Sequence, residues 1–223
     1  GMLSLFPSRL RRQLENQSQA QQQRTQEILR QLALINLSFQ KHQVDFMLLK
    51  GLPLAERCWG GLEYRFIWDL DLLVRARDLP LAVTLLEKMG FSQTSRILGT
   101  TWVSRKVTHA LSFRLKNHYL DLHWTFRRSP GIKILESRLW ENRRSCLLDG
   151  NLCQIPSDSM QLLLLVLGMA DDVFRGHLIQ RSLWDIRLLL QHMEPLDWQE
   201  FLTQRESEGL KPLVINILAL VIH

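Results

Sequence analysis

The chain lacks any long hydrophobic run. Its longest apolar stretch, Leu162 to Ala170, stops at Asp171-Asp172, far short of the roughly 20 residues a spanning helix requires. No membrane segment and no signal peptide are therefore expected, and Gly1, which precedes Met2, is set apart from the fold argument. Cysteine is scarce. Cys58, Cys146 and Cys153 are odd in number and form no C-x-x-C, which argues against a disulfide framework and for reduced thiols in a cytoplasmic setting. There is no G-x-x-x-x-G-K-[ST], no Rossmann glycine fingerprint, no H-E-x-x-H, no serine-nucleophile elbow and no internal repeat. P-loop, dinucleotide-binding, zincin and α/β-hydrolase chemistry thus lack their signatures.

What remains is an ordinary globular composition. At 223 residues, 46% hydrophobic and 22% charged, the chain can bury one large domain or two small ones. A net charge of +6 and a pI near 9.6 favour anionic partners such as nucleotides, RNA or acidic surfaces.

The chemistry-bearing segment is Trp68-Asp69-Leu70-Asp71-Leu72-Leu73-Val74. On a strand, Asp69 and Asp71 share one face with Cα atoms roughly 6.6 Å apart, while Trp68, Leu70, Leu72 and Val74 point the other way, into a core. Paired carboxylates at that spacing can converge on divalent cations. A third acid follows in Tyr119-Leu120-Asp121-Leu122-His123-Trp124, whose alternation puts Tyr119, Asp121 and His123 on a polar face. Upstream, Phe46 to Leu49 is an apolar run ending at Lys50-Gly51-Leu52-Pro53. Pro53 suits the first turn of a short helix to about Trp59, closed by Gly60-Gly61. Strand, turn and helix in that order place a cation and free backbone N–H groups where an anion could sit.

Leu49-Lys50-Gly51, Arg65, Asp69-Leu70-Asp71-Leu72-Leu73-Val74 and Asp121-Leu122-His123-Trp124, in that order, resemble the uncharacterised nucleotidyltransferase family of the DNA polymerase β-like nucleotidyltransferase superfamily. The resemblance extends through Ala82 to Phe91 and to Trp184-Asp185-Ile186-Arg187-Leu188-Leu189 and Leu196-Asp197-Trp198. It implies an α+β fold, a nucleotidyltransferase-like mixed sheet core flanked by N-terminal and C-terminal helices. It also implies a Mg2+-dependent transfer of a nucleoside monophosphate from an NTP such as ATP to a hydroxyl, with pyrophosphate released. Asp69, Asp71 and Asp121 would be the catalytic and metal-holding carboxylates, for two Mg2+ ions or Mn2+ in their place. Asp121 would also help deprotonate the attacking hydroxyl. Lys50, Gly51 and Arg65 would serve nucleotide binding, Arg65 as a phosphate contact or as an orienter of the carboxylates. The acceptor, a small molecule or a protein, is not named by any motif.

Other readings stand beside this one. The acids could line a solvated strand face, and Lys50 could be a plain surface lysine. The fold could be kept as a catalytically silent binding module, or the basic charge could mark an RNA-binding or RNA-modifying protein, although no nucleic-acid motif supports it. Transfer of the γ-phosphate would use the same contacts. His118-x-x-Asp121-x-His123 hints at zinc, but alternation puts His118 on the opposite face, leaving His123 as a neighbour that positions Asp121. Trp102, Trp124, Trp140, Trp184 and Trp198 are expected in the core or at helix junctions. The pairs Arg11-Arg12, Arg127-Arg128 and Arg143-Arg144 are expected to be solvated, or in the case of Arg127 and Arg128 to touch phosphate.

Three regions are expected. Residues 1–42 form an N-terminal helical region, in which the glutamine tract Gln17 to Gln23 is compatible with helix. Residues 43–128 form the catalytic core, with a helix over Leu79 to Met89 (apolar stripe Leu81, Leu85, Leu86, Met89) and a hairpin turning near Asn117. Residues 129–223 read as helical throughout, with Ser157 as a helix cap and further helices over Ile179 to His192, after Asp197, and over Pro212 to Val221.

Overall fold

A computed structural model describes residues 6–94, 110–125 and 134–222. Trp102, Arg127 and Arg128 lie outside the described residues. The chain opens with helix α1 (Ser8–Lys41), whose apolar residues Ile28, Leu29, Leu32, Ile35 and Phe39 recur every three or four positions and are buried. Strand β1 (Phe46–Leu48) leads into the short helix α2 (Leu52–Cys58), then come strand β2 (Asp69–Val74), helix α3 (Leu79–Lys88) and strand β3 (Ser92–Gln93). Strands β4 (Ala110–Leu115) and β5 (His118–His123) form a hairpin through Lys116-Asn117. Helix α4 (Glu136–Trp140), hairpin strands β6 (Arg144–Leu148) and β7 (Asn151–Ile155), and helices α5 (Asp158–Arg175), α6 (Gln180–His192), α7 (Trp198–Ser207) and α8 (Lys211–Ile222) complete the fold.

The main sheet is mixed and five-stranded, in the order β1-β2-β5-β4-β3. Among the described residues β2 and β5 run parallel; β1 on β2, β4 on β5 and β3 on β4 are antiparallel. Alternation sends the two sets of side chains to different cores. Leu70, Leu72, Val74, Leu120 and Leu122 join α1 and α3 in one apolar cluster. Met47 and its register partner Leu73 join α5, α6, α7 and α8 in a second cluster on the opposite face. The sheet is thus covered on both sides, which is why Asp69–Val74 reads as a nearly continuous apolar run rather than a clean alternation. Leu72 and Leu122 are fully enclosed, and each contributes about 1.5–3 kcal/mol by leaving water.

Three expectations need correction. The region after residue 129 is not helical throughout, because β6 and β7 pair as an antiparallel hairpin with Cys146 opposite Cys153. Its turn is Asp149-Gly150, both at positive φ (46° and 77°), the dipeptide that a two-residue hairpin turn favours. The alternation is masked because Leu147 and Leu152, apolar like their buried neighbours, sit on the exposed face. The buried side of α3 carries Leu79, Ala82, Val83, Leu85 and Leu86, whereas Leu81 is exposed. Trp68 turns to the α1 side as alternation requires, but it lies just outside β2 and is 49% exposed. Its ring is covered by the Arg24 guanidinium at 4.2 Å and meets Phe66 edge-on at 5.0 Å. Trp124 and Trp140 are buried as expected, while Trp184 and Trp198 are about half exposed. The three cysteines are buried and free, and among the described residues no helix is long and apolar enough to cross a membrane.

Asp158, in the first turn of α5, clips three elements together. It pairs with Arg57 of α2 at 2.8 Å and with Arg144 of β6, while Ser157 caps the same helix by accepting from the Met160 N–H. Burial alone would raise the Asp158 carboxyl, but the two guanidiniums outweigh it and hold it below the usual range. A depressed carboxyl adds stability above its unfolded value and loses it as pH falls through its folded value. We therefore expect Asp158→Asn to cost about 1–3 kcal/mol at pH 7. Urea denaturation across pH should show the gap to the parent protein closing once the pH drops below about 4.

Candidate active site

The site begins with register. In the parallel pair, Asp71 lies directly opposite Asp121 and Asp69 opposite Tyr119. Paired residues share a face, so three acids and His123 converge on the side of the sheet that the C-terminal helices cover. Asp71, Asp121 and His123 place ligand atoms within 4.8 Å of one another. Asp69 is outside that trio but close enough for the charges of Asp71 and Asp121 to act on its carboxyl. Two carboxylates and an imidazole form a donor set that fits a divalent cation.

The Lys50-Gly51 turn is tied to the same place. The Leu49 N–H donates to the Asp71 carbonyl at 3.2 Å, and Gly51 adopts φ 75°, a left-handed conformation that suits glycine. This brings the Lys50 ammonium to 3.4 Å from Asp71 Oδ2, while His123 Nε2 donates to Asp71 Oδ1 at 3.1 Å. His123 therefore braces Asp71, where the sequence suggested Asp121. Burial lowers the His118 imidazole, with smaller effects from the charges of Glu27 and Arg24 of α1, consistent with its expected place on the other face.

Electrostatics separate the paired acids. Burial would raise Asp71, but Lys50 and His123 together prevail and keep it well below the carboxylate range. Among the described residues Asp69 has no such hydrogen bond or ion pair. Burial and the neighbouring charge of Asp71 push its carboxyl up to about 6, against a smaller pull from Lys50 and Arg181.

Arg65 comes to rest on the helical half. Its Nε donates to Asp185 Oδ1 at 2.8 Å and its Nη2 to Asp185 Oδ2 at 2.7 Å, with both side chains 4% exposed. Trp59 Nε1 donates to the same Oδ1 at 2.9 Å. Arg65 Nη1 also lies 3.9 Å from where a Cβ at Gly51 would stand, so this pair fastens the Lys50-Gly51 turn to α6. Between sheet and helices lies a cleft of 140 Å³, walled by Lys50, Asp71 and His123 on one side and by Gly168, Asp172, Arg181 and Ser182 on the other. A larger hollow of 290 Å³ near Arg138, Ser157 and Asp197 contains none of these carboxylates. Asp172, Arg181 and Ser182 carried no signal in the sequence, being polar residues at the end of one helix and the start of the next. Asp185 lay inside a recognised motif, but its partner did not follow from it.

Two outcomes follow from this geometry. A carboxyl raised by folding weakens the native state as pH rises from about 4 to about 6. Asp69→Asn should therefore stabilise the metal-free protein on the order of 2 kcal/mol at pH 7–8 and lose that advantage near pH 4, as read by thermal melts across pH. Arg65→Ala leaves Asp185 buried without its cation and should cost about 3–5 kcal/mol. Arg65→Lys should not restore the loss, because an ammonium cannot replace the two-pronged contact; chemical denaturation of both variants provides the check.

Comparison with known proteins agrees with this architecture. The solution structure of the antibiotic-resistance factor ANT(2'')-Ia superposes with a TM-score of 0.54 at 12% identity, covering 83% of this chain and 92% of that one. ANT(2")-Ia in complex with adenylyl-2"-tobramycin gives 0.53 at 12% identity, covering 86% and 98%. The lincosamide antibiotic adenylyltransferase LnuA, lincomycin-bound, gives 0.50 at 16% identity, covering 75% and 97%. At such identities the likeness is one of fold. No protein of curated function matches the sequence. The family model described as uncharacterised nucleotidyltransferase matches residues 1–223, and the chain belongs to that family of transferases.

Proposed function

We propose that this protein transfers a nucleoside monophosphate from an NTP to a hydroxyl of a small-molecule acceptor, releasing pyrophosphate. The observation that carries the reading is the in-register pairing of Asp71 with Asp121 beneath the Lys50-Gly51 turn. That arrangement supplies clustered carboxylates for divalent cations and a cation for phosphate at one place. The fold shared with adenylyltransferases of antibiotics favours ATP as donor and a small molecule over a protein as acceptor. Residues 43–128 would form the catalytic core, and residues 129–223 the wall that shapes the acceptor pocket. Buried free thiols suit a cytoplasmic setting.

In this mechanism Asp71 and Asp121 would hold Mg2+, or Mn2+ in its place, with Asp69 beside them and His123 bracing Asp71. When bound, the metal would neutralise charge on the phosphate oxygens. Lys50 leaves its partner Asp71 to face the polyphosphate, and Gly51 lets the backbone approach it. Arg65 acts through Asp185 by holding that turn in place. The acceptor oxygen attacks the α-phosphorus in line, its proton passes to Asp121, and the bond from the α-phosphorus to the bridging oxygen breaks to free pyrophosphate. Enclosure of the cleft by α5 and α6 limits competing attack by water.

Calorimetric titration of each NTP, with and without Mg2+, tests the reading. Binding should require Mg2+ and be lost in Asp71→Asn. Asp121→Asn should lower pyrophosphate release at least about 10²-fold while the variant remains folded. Binding without pyrophosphate release, across a broad acceptor screen, would instead mark a silent binding module. Release of ADP in place of an AMP adduct would mark transfer of the γ-phosphate.

A further inference from the structure

On the reading above, the polyphosphate of the NTP needs cations, and the cleft's cations are not equally engaged. Among the described residues that line it, Lys50 stands on Asp71 and Arg65 has its fork on Asp185. Arg181 lines the same cleft from the helical wall, is exposed, and among the described residues makes no ion pair or side-chain hydrogen bond. It lies in the first turn of the 13-residue helix α6, where there is no acidic residue and no side-chain cap. A cation at the positive end of a helix is set against the dipole. The arrangement becomes favourable when a strong negative charge faces it, and the charge of Arg181 already acts across the cleft on Asp69.

We propose that Arg181 is a second phosphate-binding cation, gripping the NTP polyphosphate from the helical wall opposite Lys50. Its planar fork matches paired phosphate oxygens, which an ammonium cannot do. A ligand held by both walls draws the sheet half and the helical half together over the reacting centre. The inference rests on the nucleotide reading of the same cleft but assigns a residue that reading leaves out. The competing role is a mere counter-charge for the carboxylates, which needs a positive charge but no fork and leaves phosphate affinity unchanged when lost.

The probe is inorganic tripolyphosphate with Mg2+, titrated calorimetrically into the full chain. Parent protein, Arg181→Ala, Arg181→Lys and Arg187→Ala are compared, the last an exposed arginine of the same helix lying 5.9 Å over the Trp184 ring. Parent and Arg187→Ala should bind alike, Arg181→Ala roughly tenfold or more weakly, and Arg181→Lys in between. Equal binding by parent and Arg181→Ala overturns the assignment and leaves the nucleotide reading standing. Full rescue by Arg181→Lys overturns the fork argument and leaves a charge only. Failure of the parent protein itself to bind tripolyphosphate overturns this inference, while the NTP titrations described above decide the nucleotide reading separately.

Discussion

The parallel registration of β2 with β5 is the constraint on which the site depends. Asp71 faces Asp121 because the two strands run in the same direction with Leu70 opposite Leu120 and Leu72 opposite Leu122. Those leucines are buried on the other side of the sheet, so a slip of one residue would turn acids into the apolar core and leucines into the cleft. The hydrophobic core therefore fixes the position of the carboxylates. Bringing them together has an electrostatic cost, since like charges in a desolvated place resist ionisation. Lys50 and His123 offset this at Asp71, one on each oxygen, and the uncompensated part falls on Asp69. The asymmetry gives two aspartates on one strand different protonation behaviour without any difference in residue type.

The second dependence is the closing of the cleft. Asp185 receives Arg65 with both oxygens and also Trp59, three donors from the segment around α2 converging on one buried carboxylate of α6. A buried pair of this kind contributes little net stability compared with apolar residues of the same volume, but losing one partner is costly. Its value here is geometric, because it sets where the helical wall stands relative to the Lys50-Gly51 turn. Asp158 does related work on the far side of α2, joining it to β6 and α5. Between these two anchors α2 can shift little, and neither can the turn that precedes it.

The same architecture is shared with enzymes that adenylylate antibiotics, at identities of 12–16%. In this chain the helical wall of the cleft is polar, with Asp172, Ser182 and Arg181 beside the small Gly168. Ser182 Oγ donates to Asp172 at 3.0 Å, stitching α6 to α5 at the mouth of the cleft.

Much of this protein was legible in its residues alone. Strand alternation placed Asp69 and Asp71 together, and the glycine after Lys50 announced a turn that Cβ-bearing residues would resist. Ser157 and Asp197 marked the starts of α5 and α7, and both accept the backbone N–H three residues on. These are local rules, acting over a few residues. Pairings distant in sequence were decided only by the tertiary structure. Examples are the bond of His123 to Asp71 across 52 residues, that of Arg65 to Asp185 across 120, and the arrival of Arg181 in the cleft. The hairpin at Asp149-Gly150 lay between the two cases, visible in its turn but hidden by leucines on its exposed face. Local geometry is encoded in short-range sterics and hydrogen bonds, whereas which charge meets which depends on how two apolar cores pack against one sheet.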